Sequence, residues 1–288
     1  MNPKPRPRFF VGIDSDGCAF DAMEIKHKEC FTPNTILHWK LQPVSKYARQ
    51  TADFVNLYSC WRGGNRWPSL VKVLELLAEH PEVRERGFRV PEPVALRQFV
   101  ASGFPLSDVG LADYRRQYPD LELETAAAWS AGVNQSIATM VHGVPPFPGV
   151  RETLQLMKPT AELMVVSATP VEALQREWNE HGLAEFMTVI AGQEQGTKRQ
   201  HLETFAKGNY PDDHILLIGD APADRDTARA AGVLYYPINP GYEAESWRRL
   251  ANEAYPRFLN LTYAGAYETA RIAEFEALLP TTPPWRKS

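Results

Sequence analysis

Four short apolar runs punctuate the chain, at residues 9–13, 163–166, 215–218 and 233–236. None shows the polar alternation of a half-exposed strand, and each has the length of a strand covered on both faces. Around the later runs the apolar spacing lengthens. Val150, Leu154 and Met157 fall at i, i+4 and i+7, and Val171, Leu174 and Trp178 at i, i+3 and i+7. Each set lies along one face of a helix. A shorter helical stretch runs from about Asp224 to Ala231, with Gly232 placed to cap its end. This alternation predicts an α/β protein, a parallel sheet with helices on both faces.

Residues 22–144 break the pattern and read as almost all helix, over 44–58, 69–79, 93–101 and 125–140. An insert of this size directly after the first strand predicts a second domain. The proline-rich "HGVPPFPGV", 142–150, suits the return hinge. From 243 the chain turns helical again and ends in "PTTPPWRKS", expected as a loose tail. The expected division is therefore a core of 1–21 and 145–242, a helical domain of 22–144, and an extension with its tail, 243–288, on the core.

Composition narrows the picture little. The 288 residues suit one large domain or two modest ones, and 44% hydrophobic with 23% charged residues is ordinary for a globular protein. A net charge of −4 supplies no broad basic field, so neither nucleic acid nor an anionic membrane is expected as a partner. No stretch approaches the ~18 apolar residues of a bilayer span. Residues 1–8 are proline-rich and basic, without the apolar segment of a secretion signal. Cys18, Cys30 and Cys60 form neither a disulfide framework nor a metal-ligand spacing. They read as free thiols, and the expected location is the cytoplasm.

The chemistry gathers at the strand ends, where open parallel sheets place their reactive groups. Asp14 and Asp16 follow the first run, Ser167 the second, and "GDAPAD", 219–224, the third, while Lys198 lies in the connection between the last two. Burying a strand and then ending it in two aspartates is costly unless something uses the charge. Asp14, Asp220 and Asp224 offer hard oxygen donors suited to Mg²⁺. A carboxylate beside such an ion can attack phosphorus. Asp16, two residues on, can protonate a leaving oxygen and later activate water. Ser167 and Lys198 can bind phosphoryl oxygens, and the turn at Ser15, Asp16 and Gly17 can add backbone N–H donors.

"DSDG", "VVSAT", the lysine of "GTKRQH" and "LLIGDAPAD" resemble, in order, the four motifs of the haloacid dehalogenase superfamily. The resemblance implies a Rossmann-like parallel core with an inserted helical cap of type 1 (C1), which closes over the site, and it implies roles. Asp14 is the nucleophile. Asp16 is the general acid/base, whose main-chain carbonyl also binds Mg²⁺. Ser167 and Lys198, with the Ser15, Gly17 and Ala168 backbone, bind phosphate. Asp220 is the direct metal ligand and Asp224 the outer acid. Dehalogenases of the superfamily lack the second aspartate of the first motif, so Asp16 points to phosphoryl transfer. The implied activity is Mg²⁺-dependent hydrolysis of a small phosphorylated metabolite through an aspartyl-phosphate.

Within the helical region, "WRGGNRWPSL", 61–70, sets two glycines between arginines and is similar to the substrate-reading loop of beta-phosphoglucomutase. Arg66 falls where that loop holds a second phosphate, with Arg62 beside it, and Lys26 falls where relatives keep a His or Lys facing the site. These residues imply a substrate with a second anionic group. A sugar-phosphate mutase is the alternative enzyme reading. A non-catalytic binder of a phosphorylated ligand or partner is the other, which the complete nucleophile and acid/base pair argues against.

Plainer roles compete at several positions. Asp21 suits a helix N-cap. Thr169 suits either a substrate contact or the cap of the helix near Pro170. Asp226 suits a helix start. Cys18 suits a small buried residue. Lys207 is the rival phosphate lysine, but it sits at an expected helix end. Trp247, Tyr255, Phe258, Tyr263 and Tyr267 suit packing.

Overall fold

Five parallel strands stand in the order β3-β2-β1-β4-β5. They are β1 (Phe9–Ile13), β2 (Ala161–Val166), β3 (Val189–Ala191), β4 (Ile215–Gly219) and β5 (Leu234–Pro237). All pairings are parallel, and every residue of β1 and β4 is buried, as continuous apolar strands under helices should be. This is a computed structural model, and it describes residues 6–286. The predicted helices around the sheet are present as Val150–Met157, Val171–Glu180 and Pro222–Ala231. The last starts two residues earlier than its apolar pattern suggests, because Pro222 opens it. Gly232 closes it in the left-handed conformation (φ 66°), which glycine adopts without a Cβ penalty.

Ile13 pairs with Val165 on one side and Ile218 on the other. The central strand and its two neighbours therefore end level, and the residues just beyond their ends meet at one edge.

The chain divides into two compact units. One comprises residues 6–23 and His142–Leu278, and the sheet belongs to it. Its helices Glu243–Arg249, Tyr255–Leu259 and Ala266–Ala277 belong to it as well. Trp247, Tyr255, Phe258 and Tyr263 are buried in the same cluster as Val11 and Ile13. Their polar tips are satisfied there: Trp247 Nε1 donates to Cys18 O (2.8 Å), and Tyr263 Oη donates to Tyr235 O (2.6 Å).

The second unit comprises Glu24–Val141 and residues 279–286. Its main helices are Ser45–Asn56, Arg66–Glu79, Val94–Ala101, Asp108–Gln117 and Leu121–Met140, packed around Trp67, Phe99 and Trp129. The end of the chain corrects the expectation of a loose tail on the core. Cys60 N donates to Pro280 O (3.3 Å), and the Trp285 ring packs against Phe54, so residues 279–286 belong with the helical unit. The apolar ring of Trp285 gives that stretch an anchor that proline content alone does not reveal. The expected N-terminal segment 1–8 and the last two tail residues fall partly or wholly outside the described residues. Among the described residues, no helix is long and apolar enough to cross a membrane.

Candidate active site

Asp14 continues β1 by one residue, and its amide donates to Ile218 O (2.9 Å), which holds the turn against β4. The residue is 6% exposed. Asp220 continues β4 and is fully buried. Asp224 sits in the first turn of Pro222–Ala231, also fully buried, and Oδ2 accepts from Ala221 N (3.2 Å). Its carboxylate thus caps its own helix as well as facing the strand ends. Gly219 makes this possible: a Cβ there would lie 2.5 Å from the Asp224 carboxyl carbon.

Lys198 opens the helix Lys198–Phe205, whose N-cap Thr197 accepts from Gln200 N. Its Nζ lies 2.8 Å from Asp14 Oδ2 and 2.5 Å from Asp224 Oδ1. The rival Lys207 instead pairs with Asp212 (2.6 Å). The capping box at Thr197 explains why Lys198 faces the acids, since it sets the first helical residue at the mouth of the turn.

Asp14, Asp220 and Asp224 each present an oxygen within 4.8 Å of the others. One ammonium faces three carboxylates, so negative charge is in surplus. Burial, opposed by Lys198 and reinforced by Asp224 and Asp220, drives the Asp14 carboxyl up to about 8. Burial works to lower the Lys198 ammonium, but Asp14 and Asp224 overcome it and raise it. A dry cluster of hard oxygens with uncompensated charge fits a divalent hard cation.

Asp16 is held by a residue from a different strand end. Thr169 Oγ1 donates to Asp16 Oδ2 (2.7 Å), across 153 positions of sequence. Of the two roles weighed for Thr169, this removes the helix cap: the helix begins after Pro170 with no side-chain cap. Ser167 continues β2, is buried, and accepts from Thr169 N through Oγ (3.2 Å), a bond that leaves its hydroxyl hydrogen for another acceptor. Ala168, next to it, is exposed.

The first turn is tied more tightly than the sequence suggests. Ser15 N donates to Asp14 Oδ1 (2.8 Å) and Gly17 N to Phe20 O (2.8 Å), so two of the amides expected to face a phosphate are engaged within the turn. Beneath it, Ser15 Oγ donates to Glu177 Oε2 and accepts from Trp178 Nε1, each at 2.9 Å. Cys18 is fully buried, and burial, with Asp220, Asp14 and Asp224, pushes its thiol up, as befits a packing residue. Asp226 pairs with Arg225 (2.8 Å) rather than capping the helix, whose start lies at Pro222.

Within the helical unit, Arg66 is the first residue of its helix, and Asn65 caps it. Arg66 Nη1 donates to Ser130 Oγ (2.7 Å) and Asn134 Oδ1 (2.9 Å), both of which also bond Asp108. Arg62 is buried and donates to Leu57 O (2.9 Å). Lys26 opens a wide π-helical turn, Lys26–Phe31, directly after the short helix Ala22–Ile25.

Adjacent strand ends of a parallel sheet, with the starts of two helices, bring a buried acidic triad, a second aspartate, a serine and a lysine to the sheet edge where α/β enzymes place their sites. Residues 106–236 match the model of the haloacid dehalogenase-like hydrolase family. The matched segment carries Ser167, Lys198, Asp220 and Asp224; Asp14 and Asp16 precede it and join the set through β1.

No curated protein sequence matches the chain. Similar solved structures include a haloacid dehalogenase-like family hydrolase from Streptococcus pneumoniae, 15% identical over 93% of this chain and 98% of that one (TM-score 0.44). A second is described as a predicted phosphoglycolate phosphatase from Haemophilus somnus, 14% identical over 85% and 92% (TM-score 0.46). A third is described as a predicted phosphatase from Clostridium acetobutylicum, 16% identical over 85% and 91% (TM-score 0.44).

Proposed function

We propose that the chain is a Mg²⁺-dependent phosphatase that hydrolyses a small phosphate monoester through a phosphorylated Asp14. The observation that carries this reading is the pairing of Asp14, buried beside Lys198, with Asp16, a second carboxylate two residues on and fixed by Thr169. A hydrolase acting on carbon–halogen bonds has no leaving oxygen to protonate and no use for Asp16 in that role.

An Asp14 oxygen attacks phosphorus, and the bond from phosphorus to the leaving oxygen breaks as Asp16 gives that oxygen its proton. Asp16, now ionised, takes a proton from water as the water attacks the same phosphorus. The bond to Asp14 breaks, and phosphate leaves. Ser167 and Lys198 hold the phosphoryl oxygens throughout. Mg²⁺, held by Asp14, Asp220, Asp224 and the Asp16 carbonyl, would offset charge between nucleophile and phosphoryl group.

The test is phosphate release from a panel of phosphorylated metabolites, with Mg²⁺ and with EDTA, for wild type and Asp14→Asn. Release that needs the metal and disappears in the variant supports the proposal. Substrate isomerisation without free phosphate would replace it with a mutase.

The substrate's second anionic group is the finer part of the proposal, supported by the arginines of the 61–70 turn. Arg66 retains N–H donors beyond the bonds it makes to Ser130 and Asn134. Arg66→Ala should raise KM for a doubly anionic substrate far more than for a neutral aryl phosphate. Equal effects on both would remove this part.

A further inference from the structure

The helical unit contains a cavity of about 550 Å³ that the carboxylate chemistry does not use. Asp53 and Phe54, on helix Ser45–Asn56, and Tyr58, a turn later, line one side. His80 and Glu82, at the break between helices Arg66–Glu79 and Pro81–Glu85, and Trp285 from the chain's last segment line the rest of it with the neighbouring prolines. The lining contains two carboxylates and no Lys or Arg.

Two of these polar groups lack a natural partner. His80 is 1% exposed. Glu82 Oε2 lies 2.9 Å from its Nδ1 but off the line of a hydrogen bond, and Nε2 has no hydrogen-bond partner among the described residues. Burial lowers the His80 pKa against the pull of Glu82, so the ring is neutral near pH 7 and carries one bare acceptor nitrogen. The half-buried Asp53 carboxylate has no hydrogen bond or ion pair among the described residues. Burial raises its pKa, and of the two cations near it, Lys28 is tied to Glu24 and Tyr58 and Arg49 donates to Lys28 O. The walls between these groups are aromatic. Trp285 stacks on His80 with ring centroids 4.7 Å apart and meets Phe54 edge-on at 5.6 Å.

Two carboxylates with no lysine or arginine beside them in the lining, and π-faces, attract the same chemistry. An anion is repelled by the acids, a bare metal ion finds aromatic walls in place of further oxygens, and a neutral ligand leaves the acids uncompensated. We propose that this cavity binds a small organic ammonium ion, whose N–H donors meet Asp53 and Glu82 while its alkyl body lies against Phe54, Tyr58 and Trp285.

The test is calorimetric titration of the full-length protein, saturated with Mg²⁺, using n-hexylammonium and its neutral counterpart 1-hexanol. The expected result is one saturable site for the ammonium, with the alcohol at least about tenfold weaker. Asp53→Asn, which keeps shape and removes charge, should weaken the ammonium about tenfold, and Trp285→Ala should weaken it through lost ring contact. Asp14→Asn should change nothing. Absence of binding, equal binding of the alcohol, or binding lost in Asp14→Asn but kept in Asp53→Asn would each overturn the proposal, the last by moving the cation to the strand-end carboxylates.

Discussion

Thr169 illustrates how a single hydroxyl can orient a reactive group. It holds Asp16 Oδ2 at 2.7 Å and so orients the carboxylate that the proposed mechanism uses as its acid. General acid catalysis is worth typically ~10²–10⁴-fold, and only where the leaving oxygen is basic enough to need the proton. Thr169→Val should therefore slow alkyl phosphates about tenfold or more in kcat and leave a dinitrophenyl phosphate nearly untouched. Thr169→Ser should restore the alkyl rate. A uniform loss on both substrates would mean that Thr169 supports the turn rather than the acid.

Asp14 gives a pH prediction for the metal-free protein. Its carboxyl lies at about 8 when folded and near 3.8 unfolded, so the folded state binds more protons between those values. Stability then falls as pH rises through that window. In EDTA, Tm should drop between about pH 5 and pH 8, and Asp14→Asn should flatten the drop. Mg²⁺ should stabilise more at the upper end, where it no longer competes with the proton. Parallel Tm profiles for wild type and variant would count against the strained triad.

At the scale of elements, the site depends on close approaches that no side chain may enter. Gly219→Ala puts a Cβ 2.5 Å from the Asp224 carboxyl, so that group must leave its place. The variant should keep its circular dichroism spectrum and lose Mg²⁺ affinity by about tenfold or more, in line with loss of a ligand's support. Trp178 supports the first turn from below. It is fully buried, meets Phe20 edge-on at 5.4 Å, and donates to Ser15. Trp178→Ala should cost roughly 3–5 kcal/mol in denaturant unfolding. Trp178→Phe, which keeps bulk and loses the N–H, should cost about 1 kcal/mol. Equal costs would show that the hydrogen bond, not the packing, matters.

These same elements show what the sequence can disclose. Four strands are readable because parallel strands buried on both faces are written as unbroken apolar runs, and the runs that form β1, β2 and β4 lead straight into chemistry-bearing residues. β3 is not, because Val189–Ala191 is three residues long and lies at the sheet edge, too short to carry a period. The helix Asp108–Gln117 escapes the pattern for a different reason: it buries only Gly110, Leu111 and Tyr114 and presents a mostly polar face. Thr169's bond to Asp16 and Trp178's to Ser15 join positions 153 and 163 apart, and no local pattern records such pairs. A clue to Thr169 does exist in its place two residues beyond the strand-end Ser167.

Over the whole molecule, the two units carry different kinds of information. The sheet unit concentrates charged, buried residues at one edge, where residues from three strand ends and two helix starts converge. Such convergence is what four ordered motifs encode, so the class of chemistry is legible from sequence. Among the described residues the helical unit shows no comparable cluster of motifs; Arg62 and Arg66 are bonded into its own packing, and the chain's end returns to it through Trp285. That return is illegible because a lone aromatic in a proline-rich stretch has no periodicity to announce its partner.

The central claim is that Asp14 becomes phosphorylated. Rapid mixing with ³²P-labelled substrate and Mg²⁺, then an acid quench, tests it directly. The account predicts a protein-bound label that survives acid, is released by hydroxylamine, maps to the peptide containing Asp14, and is absent from Asp14→Asn. Turnover with no protein-bound label, and retained by Asp14→Asn, would contradict it.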